Sequence, residues 1–350
     1  MNPYANLPDH HFWRRSVSNV DRQDFDPVTA TRFTIDRNAR IATAGSCFAQ
    51  HISRKLDEAG FNYLVTESGA DLPAAERAAG QYGVFSARYG NIYTTRQLRQ
   101  VFDAAFGHWT PAEPAWVRPD GRFVDPFRPQ VEPEGFDSPA AVAAAREAHL
   151  RCVRAMFEQA DVFVFTLGLT EAWFSKVDGA VFPLAPGVVA GPFDGERHGF
   201  VNFGVAEVEA DLRYVLAGLK AVNPGVKVLL TVSPVPLIAT YEDRNVLVAT
   251  TYSKSVLRVA AEAVMRDTPW VDYFPSYEIV TGSFNFGAYY GEDAREVNAM
   301  GVAHAMRAFL HNYVPDRAPS RPAVPPVAQP ARHSPAGVIC DEEAIAQITF

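Results

Sequence analysis

The sequence predicts an α/β protein built around a mainly parallel β-sheet. Short apolar runs typical of buried strands alternate along the chain with longer stretches of helical periodicity. The chain has 350 residues, of which 48% are hydrophobic and 21% charged, the balance of a globular protein with a sizeable core. No window approaches 18 consecutive apolar residues, so we expect no membrane span.

The first predicted elements form a strand, turn, helix and strand over residues 40–66, after an irregular N-terminal extension at residues 1–39. Apolar positions at i, i+4 and i+8 indicate a helix over 48–59. Gly60 follows directly, at the usual C-cap position. The turn before this helix is therefore a strand-to-helix corner.

The remaining elements continue the alternation. We predict helices at 71–80, 94–107, 139–159, 205–221, near 250–267 and at 298–313, and strands at 162–167, 226–232 and 270–274. Two stretches rich in proline, glycine or polar residues, 108–136 and 175–203, are expected to be long loops. Residues 315–350 begin with a Pro-, Ala- and Arg-rich stretch and are expected to be a disordered tail, which leaves one domain at 40–314.

Composition and charge exclude several classes of function. A net charge of −8 argues against a nucleic-acid partner, because phosphate contacts need a basic face. The three cysteines are far apart, which fits a reducing compartment and shows no metal-type pairing. The N-terminus lacks a basic segment followed by an apolar one, so we expect no secretory signal and a cytoplasmic protein. Nothing calls for a cofactor or a metal ion.

Polar residues follow the predicted strands at their carboxyl ends, where parallel sheets bind ligands. The stretch Gly45, Ser46 and Cys47 places two possible nucleophiles at a corner whose helical N–H groups favour an anion. The structural alternatives are that Ser46 caps the helix and that Cys47 is a small buried apolar residue. At this stage both interpretations stand.

The letters "GSCFA" at 45–49 resemble the motif for which the GSCFA-domain proteins are named, a family similar to the SGNH (GDSL-type) hydrolases. Three later stretches, "FVFTLGLTEAW", "LKAVNPGVKVLLTVSPVPL" and "DAREVNAMGVAHAM", resemble further blocks of that superfamily in its order. The resemblance covers roughly residues 40–313. It implies a three-layer SGNH-hydrolase-like fold, with a nucleophile in the first block and an Asp-x-x-His pair in the last.

The resemblance implies a nucleophile and a set of oxyanion donors. Direct alignment with "GDSL" places Cys47 on the nucleophilic serine, and a shift of one residue places Ser46 there instead. We prefer Cys47, because the unshifted alignment keeps more of the pattern and because a helix N-terminus would also stabilise its thiolate. The oxyanion candidates that the resemblance implies are Gly45, Gly90, Asn91, Gly168 and Thr170, the last standing where the superfamily has asparagine.

The sequence differs from the superfamily pattern at the position of the general base. Asp293 matches the aspartate of the closing block, but Glu296 stands at the histidine position. A relocated histidine is the alternative, either His304 on the following helix, His51 one turn beyond the corner, or His198 in the second loop. Each of these histidines also has a structural interpretation.

Three functions follow from these residues. Glu171, Trp173 and His198 are expected near the substrate, and an aromatic wall suits a sugar ring or an acyl chain. The first hypothesis is an esterase acting on a small-molecule or glycan acyl ester through an acyl-enzyme. The second is an O-acyltransferase in bacterial polysaccharide or capsule assembly. The third is a catalytically lapsed relative that binds a glycan or a protein.

Overall fold

The computed structural model describes residues 2–314 and 341–346. The strands are β1 (Ile41–Gly45), β2 (Trp116–Val117), β3 (Phe123–Val124), β4 (Val162–Leu167), β5 (Glu171–Ser175), β6 (Val181–Phe182), β7 (His198–Asn202), β8 (Lys227–Val232) and β9 (Val271–Tyr273). The α-helices are α1 (Ala49–Glu58), α2 (Ala74–Ala79), α3 (Thr95–Ala105), α4 (Pro139–Gln159), α5 (Val205–Val222), α6 (Val246–Asp267), α7 (Ser276–Thr281), α8 (Ala299–Tyr313) and α9 (Glu343–Ala346).

The central sheet has four parallel strands in the order β1–β4–β8–β9. Every crossover between them contains at least one helix, as parallel pairing requires. The carboxyl ends of all four strands therefore lie along the same edge. The predicted α/β class with a mainly parallel sheet is confirmed.

Side chains of β4 alternate between two hydrophobic cores, one on each face of the sheet. Phe163, Phe165 and Leu167 pack with residues of α3, α4, α5 and α6. Val162 and Val164 pack with residues of α1, α7 and α8. Because a strand buried on both faces needs mostly apolar residues on both, the residues of this run are apolar except for Thr166. The architecture is a three-layer helix–sheet–helix sandwich.

The outer edge of β1 is covered by the chain that follows α1. The Ile41 N–H donates to the Asn62 carbonyl at 3.0 Å, and the Leu64 N–H donates to the Ile41 carbonyl at 2.9 Å. This segment forms only an isolated parallel bridge at Tyr63, so the second strand predicted within 40–66 is reduced to one pair. The edge strand is nevertheless protected from pairing with another chain.

Both predicted loops contain short strands. β2 and β3 pair as a small antiparallel hairpin, and β5 pairs with β6 and β7 in a three-stranded antiparallel sheet. Strands of two to five residues are too short to show a reliable alternating pattern, which is why the sequence reads as loop. This second sheet lies directly after β4 in the chain and forms one wall of the site described below.

The N-terminal extension contains two short helical turns, Asp9–His11 and Arg14–Ser18, and packs against the end of the domain. The Ile35 N–H donates to the Tyr313 carbonyl at 2.7 Å. The Phe25 carbonyl lies 2.6 Å from Nε2 of His304. The extension therefore closes over α8 and is joined to the domain by specific contacts.

Part of the predicted disordered tail is ordered. Residues 341–346 form a turn and the short helix α9, and the turn residues Asp341 and Glu342 are buried. Polar contacts with the domain, described below, hold this turn, and they could not be read from composition. The other residues of that predicted tail lie outside the described residues. Within the described part of the chain, no helix is both long and apolar enough to cross a membrane.

Candidate active site

The corner after β1 depends on Gly45, whose φ is +136°. A Cβ at this position would collide with the backbone of Thr166 on the neighbouring strand. The N–H of Ser46 then donates to the Thr166 carbonyl at 3.1 Å. Glycine is therefore required for β1 to lie against β4 and then turn directly into α1.

The hydroxyl of Ser46 is buried without a hydrogen-bond partner among the described residues. Ser46 is 2% exposed. Helix α1 begins without a side-chain cap, so Ser46 does not cap it. A Cβ placed on Gly168 would lie 3.0 Å from the Ser46 Cβ, which shows how closely the β4 end approaches. A buried hydroxyl without a partner is costly, and a catalytic role is one explanation for it.

Ser46 and Cys47 line one small pocket at the carboxyl edge of the central sheet. The pocket is lined by Ser46, Cys47, Tyr93, Gly168, Leu169, Ser233, Val235, Pro236, Leu237, Lys254 and Glu342. Residues that follow β1, β4 and β8 thus meet there. It encloses about 10 Å³, roughly the space of one water molecule.

Lys254 is a buried lysine in the wall of this pocket. It is 2% exposed, and its Nζ donates to the Gly168 carbonyl at 2.5 Å. Sequence reasoning missed it, although the signal was present. Lys254 continues the buried stripe of α6 that includes Leu257, Ala261 and Val264, and a lysine on an apolar helix face is unusual.

The sequence model of the GSCFA family matches residues 40–309. The chain belongs to the GSCFA family. A search of curated proteins found no match. The matched span contains the whole central sheet and every residue of the pocket except Glu342.

Two of the oxyanion donors expected in this GSCFA protein are already engaged. The Gly168 N–H donates to the Tyr93 carbonyl at 3.1 Å. The Thr170 hydroxyl donates to Asn202 Oδ1 at 2.6 Å, and its N–H donates to the Ser253 hydroxyl at 3.0 Å. These bonds fix the β4 end and occupy the Gly168 N–H, the Thr170 N–H and the Thr170 hydroxyl.

Among the predicted oxyanion donors, Asn91 has a side chain that contacts a carboxylate, that of Asp341. It is 3% exposed, its Oδ1 accepts from Gln50 at 3.3 Å, and its Nδ2 donates to Asp341 Oδ2 at 2.7 Å. Gly90 beside it has a φ of +68° and allows the turn that precedes this side chain. The Asn91 amide is thus oriented toward a carboxylate oxygen, the charge that an oxyanion also carries.

The Asp293 and Glu296 side chains are exposed and do not line the pocket. Asp293 Oδ1 accepts from the N–H groups of Arg295 and Glu296 at 3.0 and 2.9 Å, and these bonds hold the pKa of Asp293 below its usual value. The carboxylate therefore stabilises a turn. The Arg295 side chain between them reaches the mouth of the pocket instead, where its Nε donates to the Pro236 carbonyl at 3.2 Å.

None of the three predicted histidines lines the pocket. The two ring nitrogens of His304 each have a partner at 2.6 Å, the Tyr289 hydroxyl and the Phe25 carbonyl. His51 packs against the Phe48 ring on α1, where burial lowers its pKa to about 4. Both positions are structural.

His198 lies in the second sheet and also does not line the pocket. Its Nδ1 accepts from the Asp194 N–H at 3.1 Å, and its Nε2 lies 3.3 Å from Glu113 Oε1. Within residues 2–314 and 341–346, no three His, Cys, Asp or Glu side chains lie close enough to hold a metal ion.

An apolar groove of about 320 Å³ continues from the pocket. Tyr93, Leu169, Leu237 and Glu342 line both. Trp173 and Tyr241 form an aromatic wall, with ring centroids 4.7 Å apart. Glu171 lies in the same groove, accepts from the Thr240 hydroxyl at 2.6 Å, and has its pKa raised by burial.

Proposed function

We propose that this GSCFA protein is an SGNH-type enzyme that processes acyl esters through a covalent acyl-enzyme. The observation that carries the proposal is the buried, unpartnered Ser46 hydroxyl, next to the Cys47 thiol at the meeting point of three strand ends. A nucleophile needs an uncommitted attacking atom at a ligand-binding edge, and this corner supplies one.

Either neighbour fits the role of nucleophile. The unsatisfied hydroxyl supports Ser46, and the intrinsic reactivity of a thiolate at a helix start supports Cys47. The attacking oxygen or sulfur would bond to the ester carbonyl carbon and lose its proton to a base. The C–O bond to the alcohol would then break, and the alcohol would leave with a proton. Water would release the acyl group as an acid.

Lys254 is our candidate for the base, in place of the missing histidine. Its Nζ lies 2.5 Å from the carbonyl of Gly168, the residue whose backbone packs against Ser46. Buried lysines serve as general bases because burial disfavours the ammonium form. We assign the Asn91 amide to the oxyanion, since it already donates to a carboxylate oxygen. The apolar groove would hold the acyl chain.

The test is the intact-protein mass after brief mixing with an activated acetyl ester. We expect one acetyl adduct on the parent protein and its loss in only one of two variants, Ser46→Ala or Cys47→Ala. The denatured parent protein measures non-specific acetylation. If neither substitution changes the adduct, the proposed nucleophile is wrong.

An O-acyltransferase would share the acyl-enzyme and differ in what receives the acyl group. Product analysis with an added sugar acceptor separates the two activities, because a transferase yields the acylated sugar and an esterase yields free acid.

A binding-only relative is the second candidate, favoured by the exposed positions of Asp293 and Glu296 and by a pocket without histidine. It predicts no adduct in any variant. It also predicts the same affinity for an acyl-glycan in the parent protein and in a Ser46→Ala, Cys47→Ala double variant.

A further inference from the structure

Two carboxylates from the turn at residues 341–342 are buried, and that of Glu342 lies in the lining of the pocket. Asp341 is 4% exposed and Glu342 is 8% exposed. Removing an ionised carboxylate from water is costly unless donors or cations compensate it. Their burial therefore reflects the chemistry of the surface that receives them.

That surface supplies donors for both side chains. The Asn91 amide donates to Asp341 Oδ2 at 2.7 Å, and the Tyr93 hydroxyl accepts the Asp341 N–H at 3.1 Å. The Arg295 guanidinium lies 3.1 Å from Glu342 Oε2 in an ion pair that is mostly buried. The three receiving residues lie within the family-matched span, whereas Asp341 and Glu342 lie outside it.

The same turn obstructs the route to the nucleophile. Glu342 lines both the pocket and the apolar groove, and Ile345 lines the groove. The pocket around Ser46 and Cys47 consequently has room for little more than a water molecule. An ester needs more room beside these side chains than the pocket has, and movement of this turn would open it toward the groove.

We propose that the mouth of the pocket is a carboxylate-binding subsite and that the Asp341–Glu342 turn is its internal occupant. The external ligand is then a molecule that carries a carboxylate, held by Arg295 in the place of the Glu342 carboxylate. Calling that ligand the ester substrate rests on the proposed function. The binding of a carboxylate does not depend on the proposed function, because the subsite is defined by charges and hydrogen-bond donors alone.

Alkylation of Cys47 tests the subsite without any catalytic turnover. Iodoacetate and iodoacetamide both transfer a two-carbon group to a thiolate and release iodide, but only iodoacetate carries a carboxylate. Rates at Cys47 would be measured by peptide mass spectrometry in the full-length parent protein and in an Asp341→Ala, Glu342→Ala variant. Cys152, which is half-buried and lies outside the pocket, gives the reference ratio of the two reagents in each sample.

We expect Cys47 to react about tenfold faster in the double variant, because two charge-assisted contacts that hold the turn are lost. The iodoacetate-to-iodoacetamide ratio should also be higher at Cys47 than at Cys152. Adding Arg295→Met should remove that preference. Glu292→Ala, which removes an exposed carboxylate, should change neither rate.

Two results would overturn the proposal. Equal Cys47 rates in the parent protein and the double variant would show that the turn does not obstruct the pocket. Faster alkylation with the same reagent ratio at Cys47 and Cys152 would show that the mouth does not select carboxylates. Acceleration caused by unfolding would be accompanied by a lower thermal midpoint, which is measured for each protein. The single variant Glu342→Ala provides a second, milder disturbance of the turn for the same comparison. Absence of an acyl-enzyme would count against the proposed function and leave this result intact.

Discussion

At the residue scale, the site depends on positions where the backbone leaves no alternative side chain. Gly45→Ala should destabilise the protein by about 3 kcal/mol or more, because the φ is unfavourable for alanine and the new Cβ meets the Thr166 backbone. The free energy of unfolding in urea measures this loss.

Gly60→Ala is the matched control for that substitution. Gly60 also has a positive φ, +73°, but a Cβ there has no atom within 4 Å. We expect a loss of about 1 kcal/mol from backbone strain alone. Equal losses for the two variants would contradict the steric argument for Gly45.

Lys254 carries the second prediction at this scale. Lys254→Met should slow acyl-enzyme formation at least about a hundredfold, the lower range for a lost general base. Lys254→Arg should be equally slow, because a guanidinium retains the charge but does not accept a proton at neutral pH. The rate of adduct formation, followed by intact mass, measures both.

Lys220→Met provides the control, since Lys220 also donates to a backbone carbonyl, that of Val226, but lies outside the pocket. Its adduct should form at the parent rate. A Lys254→Arg variant that keeps the parent rate would show that the lysine only holds Gly168 in place.

The sequence located the corner residues but not Lys254. Gly45, Ser46 and Cys47 are adjacent in the chain, so one local pattern placed them together. The sequence around His304 does not reveal whether the ring is catalytic or structural, because its partners, Tyr289 and Phe25, come from other segments of the chain. The contact between Lys254 and Gly168 likewise joins positions 86 residues apart.

At the scale of elements, the cap of α3 connects stability to the site. Thr94 and Gln97 form a capping box, and Gln97 Oε1 also accepts the Tyr93 N–H at 3.0 Å. The Tyr93 carbonyl in turn receives the Gly168 N–H. Thr94→Ala should lower the free energy of unfolding by about 1 kcal/mol and also slow adduct formation.

Ser138→Ala removes a cap of the same kind from α4, where the hydroxyl accepts the Ala141 N–H at 3.2 Å. We expect a similar loss of stability, about 1 kcal/mol, with adduct formation unchanged. A slower adduct in both variants would mean that general destabilisation, and not the position of Tyr93, controls the rate.

Elements were predictable where local signals agreed. Ser138 begins α4, and the prediction of 139–159 matches the observed helix, while the buried run 162–167 matches β4. β6 has only two residues and is defined by its pairing with β5, which no local pattern reveals. Residues 341–346 were missed for the same reason, since their order depends on partners in the domain.

At the scale of the whole molecule, the free energy of unfolding should decrease as the pH is lowered, and His51 contributes to that decrease. Its pKa is lowered from 6.5 to about 4 in the folded state, mainly by burial and also by the nearby Arg54 and Lys55. The unfolded chain therefore binds this proton more tightly. The neutral ring's contribution is fully present above pH 6.5 and is lost progressively as the pH falls toward about 4.

A His51→Gln variant should lose less stability than the parent protein between pH 7 and pH 4. The difference should be at most about 3 kcal/mol, from about 1.4 kcal/mol per unit of pKa. Urea unfolding of both proteins at each pH measures it, and other titrating groups cancel in the comparison. Parallel pH profiles would contradict the assignment.

The contacts of the N-terminal extension determine when this fold can be completed during synthesis. The Ile35 N–H is bonded to the Tyr313 carbonyl, and the Phe25 carbonyl is bonded to the ring of His304. These partners are translated almost 280 residues later. This segment is therefore translated well before α8 and waits for it, and once α8 is made, the face that the segment covers has to be kept from other chains until the two meet.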